Sequence, residues 1–152
     1  MKDLINKRHS VRKFEKGHVP PEVITEAVEY AEKAPSAGGL KAYENFWVSS
    51  KQIKEIAEAV RQKWIAEAQA VIVICSWPGL SEKRYSDRGR KLYCIQDATL
   101  FGAYLDLLLV EKGYGTCWVG AFKPERIKKI LDIPNFLEPI SLLVVGKKNE
   151  DK

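Results

Sequence analysis

Six consecutive apolar residues, Ala70-Val71-Ile72-Val73-Ile74-Cys75, constrain this chain more than any other feature. A largely β-branched run of this kind has no polar face to turn to water, so it reads as a strand covered on both sides. The longest helical pattern, Cys94 to Lys112, is itself apolar almost all round through Ala98, Phe101, Gly102, Leu105, Leu108 and Leu109. Such a helix is either central to a core or shared with a partner subunit.

The remaining elements follow from periodicity and punctuation. Residues 2 to 8 suit a short helix, Glu15 to His18 a turn, and Pro20-Pro21-Glu22 a helix start, because proline in the first turn loses no hydrogen bond. Val23, Ala27, Tyr30, Ala31 and Ala34 form its expected apolar stripe, which Pro35 ends. Ser36-Ala37-Gly38-Gly39 is a loop, and Phe46 to Val48 a strand. Lys51 to Ala66 carries Ile53, Ile56, Ala57, Val60 and Trp64 on one helical face. Trp77 to Arg90 turns polar around Pro78-Gly79, Ser86-Asp87 and Gly89, and reads as a long loop able to cover a pocket. Gly115 to Gly120 and Ile140 to Val145 are strands, with a short helix from Pro124 to Leu131 between them. Strands separated by helices, but not in strict alternation, give a mixed α/β (α+β) chain, and 152 residues without repeats or linkers form one domain, residues 1–152.

Charge narrows the function classes. The formal excess of +5 comes from 25 basic and 20 acidic residues interspersed along the chain, with no basic stripe interleaved with aromatics. Interspersed charge is the mark of solvated faces, so no nucleic-acid partner is expected, and a local anion explains the excess as well. No secretory signal is visible and no apolar run approaches membrane-spanning length, so a cytoplasmic protein without a membrane partner is expected. Cys75, Cys94 and Cys117 lack zinc or CxxC spacing; they read as buried free thiols, and no metal is expected.

Two guanidinium groups and a hydroxyl fall within Arg8-His9-Ser10-Val11-Arg12. Arginine forks bond phosphate oxygens in pairs and serine donates a third bond, which makes the run a candidate anion site. On its own it is a weak signal, because short basic runs with a serine are common on surfaces. Three further segments stand with it in order: Pro35-Ser36-Ala37-Gly38-Gly39, Gly115 to Phe122, and the closing strand Ser141 to Lys148.

Together these segments resemble the nitroreductase family from about Asn6 to Lys148. The resemblance implies a central mixed or antiparallel sheet flanked by helices, and a homodimer holding two FMN molecules between its subunits. It implies that Arg8, His9 and Ser10 contact the FMN phosphate, with Arg12 reaching toward the ribityl chain and the pyrimidine edge of the ring. Pro35, Ser36, Ala37, Gly38 and Gly39 would cross to the flavin of the partner, where glycines permit close approach of backbone to a flat ring. Backbone N–H groups near Val119 and Gly120 would lie over the ring close to N5, so no side chain need act as acid or base.

The implied activity is a ping-pong transfer of electrons from NADH or NADPH through FMN to a small acceptor such as a nitroaromatic, quinone or conjugated compound. Dehydrogenation, dehalogenation and a flavin-binding redox-sensor role stay open. Two departures from the family pattern stand out. Gly39 occupies a position where many relatives have asparagine, and the tail is short, leaving Lys147, Lys148 or Lys152 as the basic residue on the phosphate, with Lys148 preferred. Tyr85, Arg88, Arg90 and Tyr93 are candidates for contact with substrate or pyridine nucleotide.

Overall fold

The computed structural model describes residues 1–48 and 51–149. Lys152, named above beside Lys148, lies outside them. Ten regular elements occur in the order α1 (Lys2–Lys7), α2 (Pro21–Ala31), β1 (Tyr43–Val48), α3 (Lys51–Val60), β2 (Ala70–Ser76), α4 (Pro78–Arg88), α5 (Cys94–Glu111), β3 (Gly115–Val119), α6 (Pro124–Leu131) and β4 (Glu138–Gly146). The four strands form one antiparallel sheet in the order β1-β2-β4-β3.

Strand parity divides the core in two. Val71, Val73 and Cys75 of β2, with Leu142 and Val144 of β4, face Ile53, Ile56, Ala57 and Val60 of α3 and Ile127 of α6. Ala70, Ile72 and Ile74, with Leu143 and Val145, face Ile24, Ala27 and Ala31 of α2 and Ala98, Phe101, Leu105 and Leu109 of α5. Each central strand therefore buries both of its faces, which is why β2 shows no alternation in sequence although its neighbours run antiparallel. A bulge opposite Ile74 and Cys75 skips Ile140, next to Pro139, which has no N–H to give the ladder.

Several expectations are corrected. Residues 77–90 are not a loop: Pro78 starts α4, and a π-turn over Gly89–Tyr93 joins it to α5. The misleading signals have local causes. Ser86 takes a positive φ of 53°, and Gly89 packs so close to Ser81 that a Cβ would come within 2.5 Å of the Ser81 carbonyl oxygen. Polar residues here mark an exposed helix. In α2 the buried stripe is Ile24, Ala27 and Ala31, whereas Tyr30 is 52% exposed. The helix from Lys51 stops at Val60, where Arg61 takes a φ of 59°, and Trp64 falls in a separate 3-10 turn, Lys63–Glu67.

The joined stretch Pro78–Glu111, 34 residues, is long and apolar enough to cross a membrane by length and composition, contrary to the reading of the sequence. Its apolar face, Ala98, Phe101, Leu105 and Leu109, lies in the core against β2 and β4.

Candidate functional site

The chain leaves α1 at Arg8 in an extended conformation and becomes a strap across one end of the sheet. Ser10 pairs in parallel with Thr116 of β3, and the Val11 N–H donates to the Thr116 carbonyl at 2.8 Å. Phe14 then pairs with Lys148 beyond β4, and the Glu15 N–H donates to the Lys147 carbonyl at 2.9 Å. Gln69 locks the two together: its side-chain amide donates to the Glu15 carbonyl at 3.1 Å and accepts from the Lys147 N–H at 2.6 Å.

This strap and the residues just after β4 border an open cavity of about 470 Å³ lined by His9, Ser10, Val11, Arg12, Lys13, Lys148 and Asn149. Three cationic side chains and a hydroxyl share the lining and no carboxylate of the described residues does, which is a donor set for an anion. Of the residues singled out in sequence, His9, Ser10, Arg12 and Lys148 meet here; the His9 ring also bonds locally, its Nδ1 3.0 Å from the Lys7 carbonyl oxygen. Lys13 is an addition that its position inside the basic run could have supplied.

Arg8 does not line the cavity. Its guanidinium points to Asp106 on α5, 3.9 Å away, while the other oxygen of Asp106 accepts from the Thr116 hydroxyl. Burial pushes the Asp106 carboxyl above its ordinary value, and the Thr116 hydrogen bond and the Arg8 charge pull it back in part. Asp106 was missed in sequence, as was Asp97. The available signal was two carboxylates inside an otherwise apolar helix.

Asp97, only 2% exposed, holds the second segment. Its two oxygens accept from the Ala37 N–H at 2.9 Å and the Ala42 N–H at 3.2 Å, and the Ser36 hydroxyl oxygen accepts from the Lys41 N–H at 3.0 Å. Gly38 and Gly39 stand at φ of 59° and 67°. A Cβ on Gly38 would also overlap the Tyr85 hydroxyl, so α4 backs this loop. Pro35, Ser36 and Ala37 border a different cavity, about 500 Å³, with Tyr93, Ile95, Gln96, Thr99 and Leu100. Asp97 and Asp106 are nine residues apart on α5, roughly 13 Å along a helix axis, and neither cavity contains lining from both segments. One chain therefore does not bring the loop to the strap.

Tyr85 and Tyr93 meet edge to face at 5.2 Å, Arg88 donates to the Tyr93 hydroxyl at 3.1 Å, and Arg90 pairs with Glu82 at 2.8 Å. These four residues are engaged with one another and with α4.

β3 is an edge strand whose outer side meets the strap at Thr116. By strand alternation the backbone groups of Trp118 and Gly120 face that same side, whereas those of Val119 face β4. Val119 is 4% exposed, while a Cβ on Gly120 would have nothing within 4 Å.

Fold and site together define a three-layer α+β protein with a cationic cavity at one end of an open sheet edge. The chain belongs to the nitroreductase family, whose model matches residues 5–75 and 56–147. A nitroreductase family protein from Streptococcus pneumoniae TIGR4 superposes with a TM-score of 0.90 at 21% identity, covering 98% of this chain and 90% of that one. An FMN-dependent nitroreductase from Clostridium difficile R20291 superposes at 0.84 with 22% identity, covering 100% and 90%. An NADPH-dependent oxidoreductase of Staphylococcus aureus (strain MRSA252) is 26% identical over 99% of this chain, which spans only 65% of that protein.

Proposed function

We propose that this protein is an FMN-dependent oxidoreductase that takes electrons from NADPH or NADH and delivers them to a small acceptor such as a nitroaromatic, quinone or conjugated compound. The observation that carries the reading is the cavity in which Ser10, Arg12, Lys13 and Lys148 meet, with no carboxylate among the described residues that line it, at the strap end of the β3 edge. A phosphate ester needs several convergent donors with little competing negative charge, and this set fits one. At the other end of the edge the open surface at Gly120 leaves room for a flat ring. FMN, when bound, supplies a ring that accepts hydride from a reduced nicotinamide and then reduces the acceptor in a second half-reaction.

The chain's own residues divide the remaining work. Ser10 and Lys148 hold the phosphate, His9 donates beside them, and Arg12 extends toward the ribityl chain and ring edge. Arg8 acts through Asp106 to hold the strap, with a share in the phosphate field. The Gly120 N–H, set on the outward parity, orients the ring, with Val119 fixing the strand beneath it. Pro35 to Gly39 cover the flavin bound to a second copy, a reading supported by the separation of loop and strap within one chain and by the exposed apolar side chains Leu100 and Tyr104 on α5.

An absorption spectrum of the purified protein with identification of the released flavin tests this directly. Bound FMN, bleached on anaerobic mixing with NADPH or NADH, is the expected result. A colourless protein that takes up no FMN removes the proposal. Arg12→Ala is expected to weaken FMN binding about tenfold or more, the loss of one charge-assisted contact, with an unchanged circular dichroism spectrum.

A further inference from the structure

Beyond Gly120, a second basic cavity opens, of about 360 Å³, lined by Arg61, Phe122, Lys123 and Arg126 together with small residues of α3 and the turn after β3. Its three cations come from separate places: the residue following α3, the residue before α6, and the first turn of α6. None of them forms a salt bridge with a described carboxylate. Glu125, in the same first turn, and Glu58, which borders a neighbouring hollow with Arg61, are the nearby acids, and neither lines this cavity.

The arrangement is unfavourable in isolation. Lys123 and Arg126 sit at the positive end of the α6 dipole, where cations are disfavoured. Arg61 holds a left-handed backbone, φ 59°, that glycine or asparagine would adopt at less cost. Three like charges lining one cavity on such supports are relieved by an anion of more than one charge. Two guanidinium forks match the oxygens of a phosphate monoester, and the half-buried ring of Phe122 offers a flat apolar face to a base. The cavity includes Ala121, two residues past the end of β3, whereas the strap pairs with Thr116 near its start, so the two cation clusters lie toward opposite ends of the edge.

We infer that Arg61, Phe122, Lys123 and Arg126 form the subsite for the phosphorylated adenosine end of NADPH and give the protein its preference for NADPH over NADH. This inference rests on the function proposed above only in supplying a reason for a dinucleotide to dock beside Gly120.

Direct binding of adenosine 2′,5′-bisphosphate and adenosine 5′-monophosphate to the full chain, followed by calorimetry, tests it without catalytic turnover. The bisphosphate is expected to bind about tenfold or more tightly than the monophosphate, and Arg61→Ala or Arg126→Ala to abolish most of that difference while leaving FMN content unchanged. No preference in the wild type, a preference that survives both substitutions, or displacement of the bisphosphate by FMN would overturn the assignment. The last result would place the ligand in the Arg12 cavity, and the first would leave the Arg61 cavity to an anionic acceptor. A protein that takes up no FMN yet keeps the Arg61-dependent preference sustains the subsite and removes the flavin reading instead.

Discussion

Asp106 sets a contest between burial and pairing. It is 8% exposed, bonded to Thr116 and 3.9 Å from Arg8, yet burial is the largest influence on its carboxyl and raises its pKa above 3.8. The folded protein thus holds this proton more tightly than the unfolded chain does. Its contribution to stability falls as pH rises from 3.8 through the raised folded value, and levels off above it. Asp106→Asn keeps an acceptor for Thr116 and removes the ionisation. A urea midpoint measured across that range is expected to vary less with pH in the variant, and to be no lower than wild type near neutrality. Tyr43 offers a simpler case: its ring stacks on Phe101 at 4.5 Å, its hydroxyl is buried without a hydrogen-bond partner among the described residues, and burial pushes its pKa up to about 12. Tyr43→Phe removes an unmet polar group, so its thermal midpoint is expected to stay level or rise, by up to about 1 kcal/mol of stability.

Between elements, α5 and β3 meet at Gly102, where a Cβ would lie 2.6 Å from the Trp118 ring and 2.7 Å from Ile74. Helix propensity alone favours Gly102→Ala by about 1 kcal/mol, but overpacking costs about 1–3 kcal/mol, and two contacts this close on ring and strand decide for the second. A lowered denaturant midpoint is the expected result. The same pairings explain what could be read from sequence. β2, β4 and α5 were legible because burial on both faces leaves continuous apolar runs, and α6 because Pro124 marks its start. β1 begins at Tyr43, earlier than expected, because Glu44 and Asn45 lie on an edge strand with one wet side. The gathering of Ser10, Arg12 and Lys148 was legible from the motifs. The diversion of Arg8 was not, since its carboxylate lies on a distant helix that no local pattern connects to it.

At the scale of the molecule, strap and loop are held by different parts of α5, and the proposed site is expected to be complete only with a second copy. Leu100 and Tyr104, one turn apart on α5 and 38% and 43% exposed, belong to the face expected to meet the partner. Leu100→Glu would bury a charge there, so sedimentation velocity is expected to show a monomer that has lost most of its flavin, against a coloured wild-type dimer. A flavin-loaded wild-type monomer would contradict the shared site. The solved structures that superpose across nearly the whole chain show that this architecture supports the same three layers at about one-fifth identity, so packing rather than particular core residues carries the fold.

The strap pairs with β3 at Thr116 and turns away toward Lys148, so the outward backbone groups of Trp118 and Gly120 have no neighbouring strand among the described residues. A bare sheet edge is a template for any other extended chain, and proteins ordinarily blunt theirs with charge, proline or a covering segment. Here the residue at that edge is Trp118, 36% exposed, which does none of these. A ligand that settled along β3, as proposed for the flavin, would therefore also shield that edge from pairing with another extended chain.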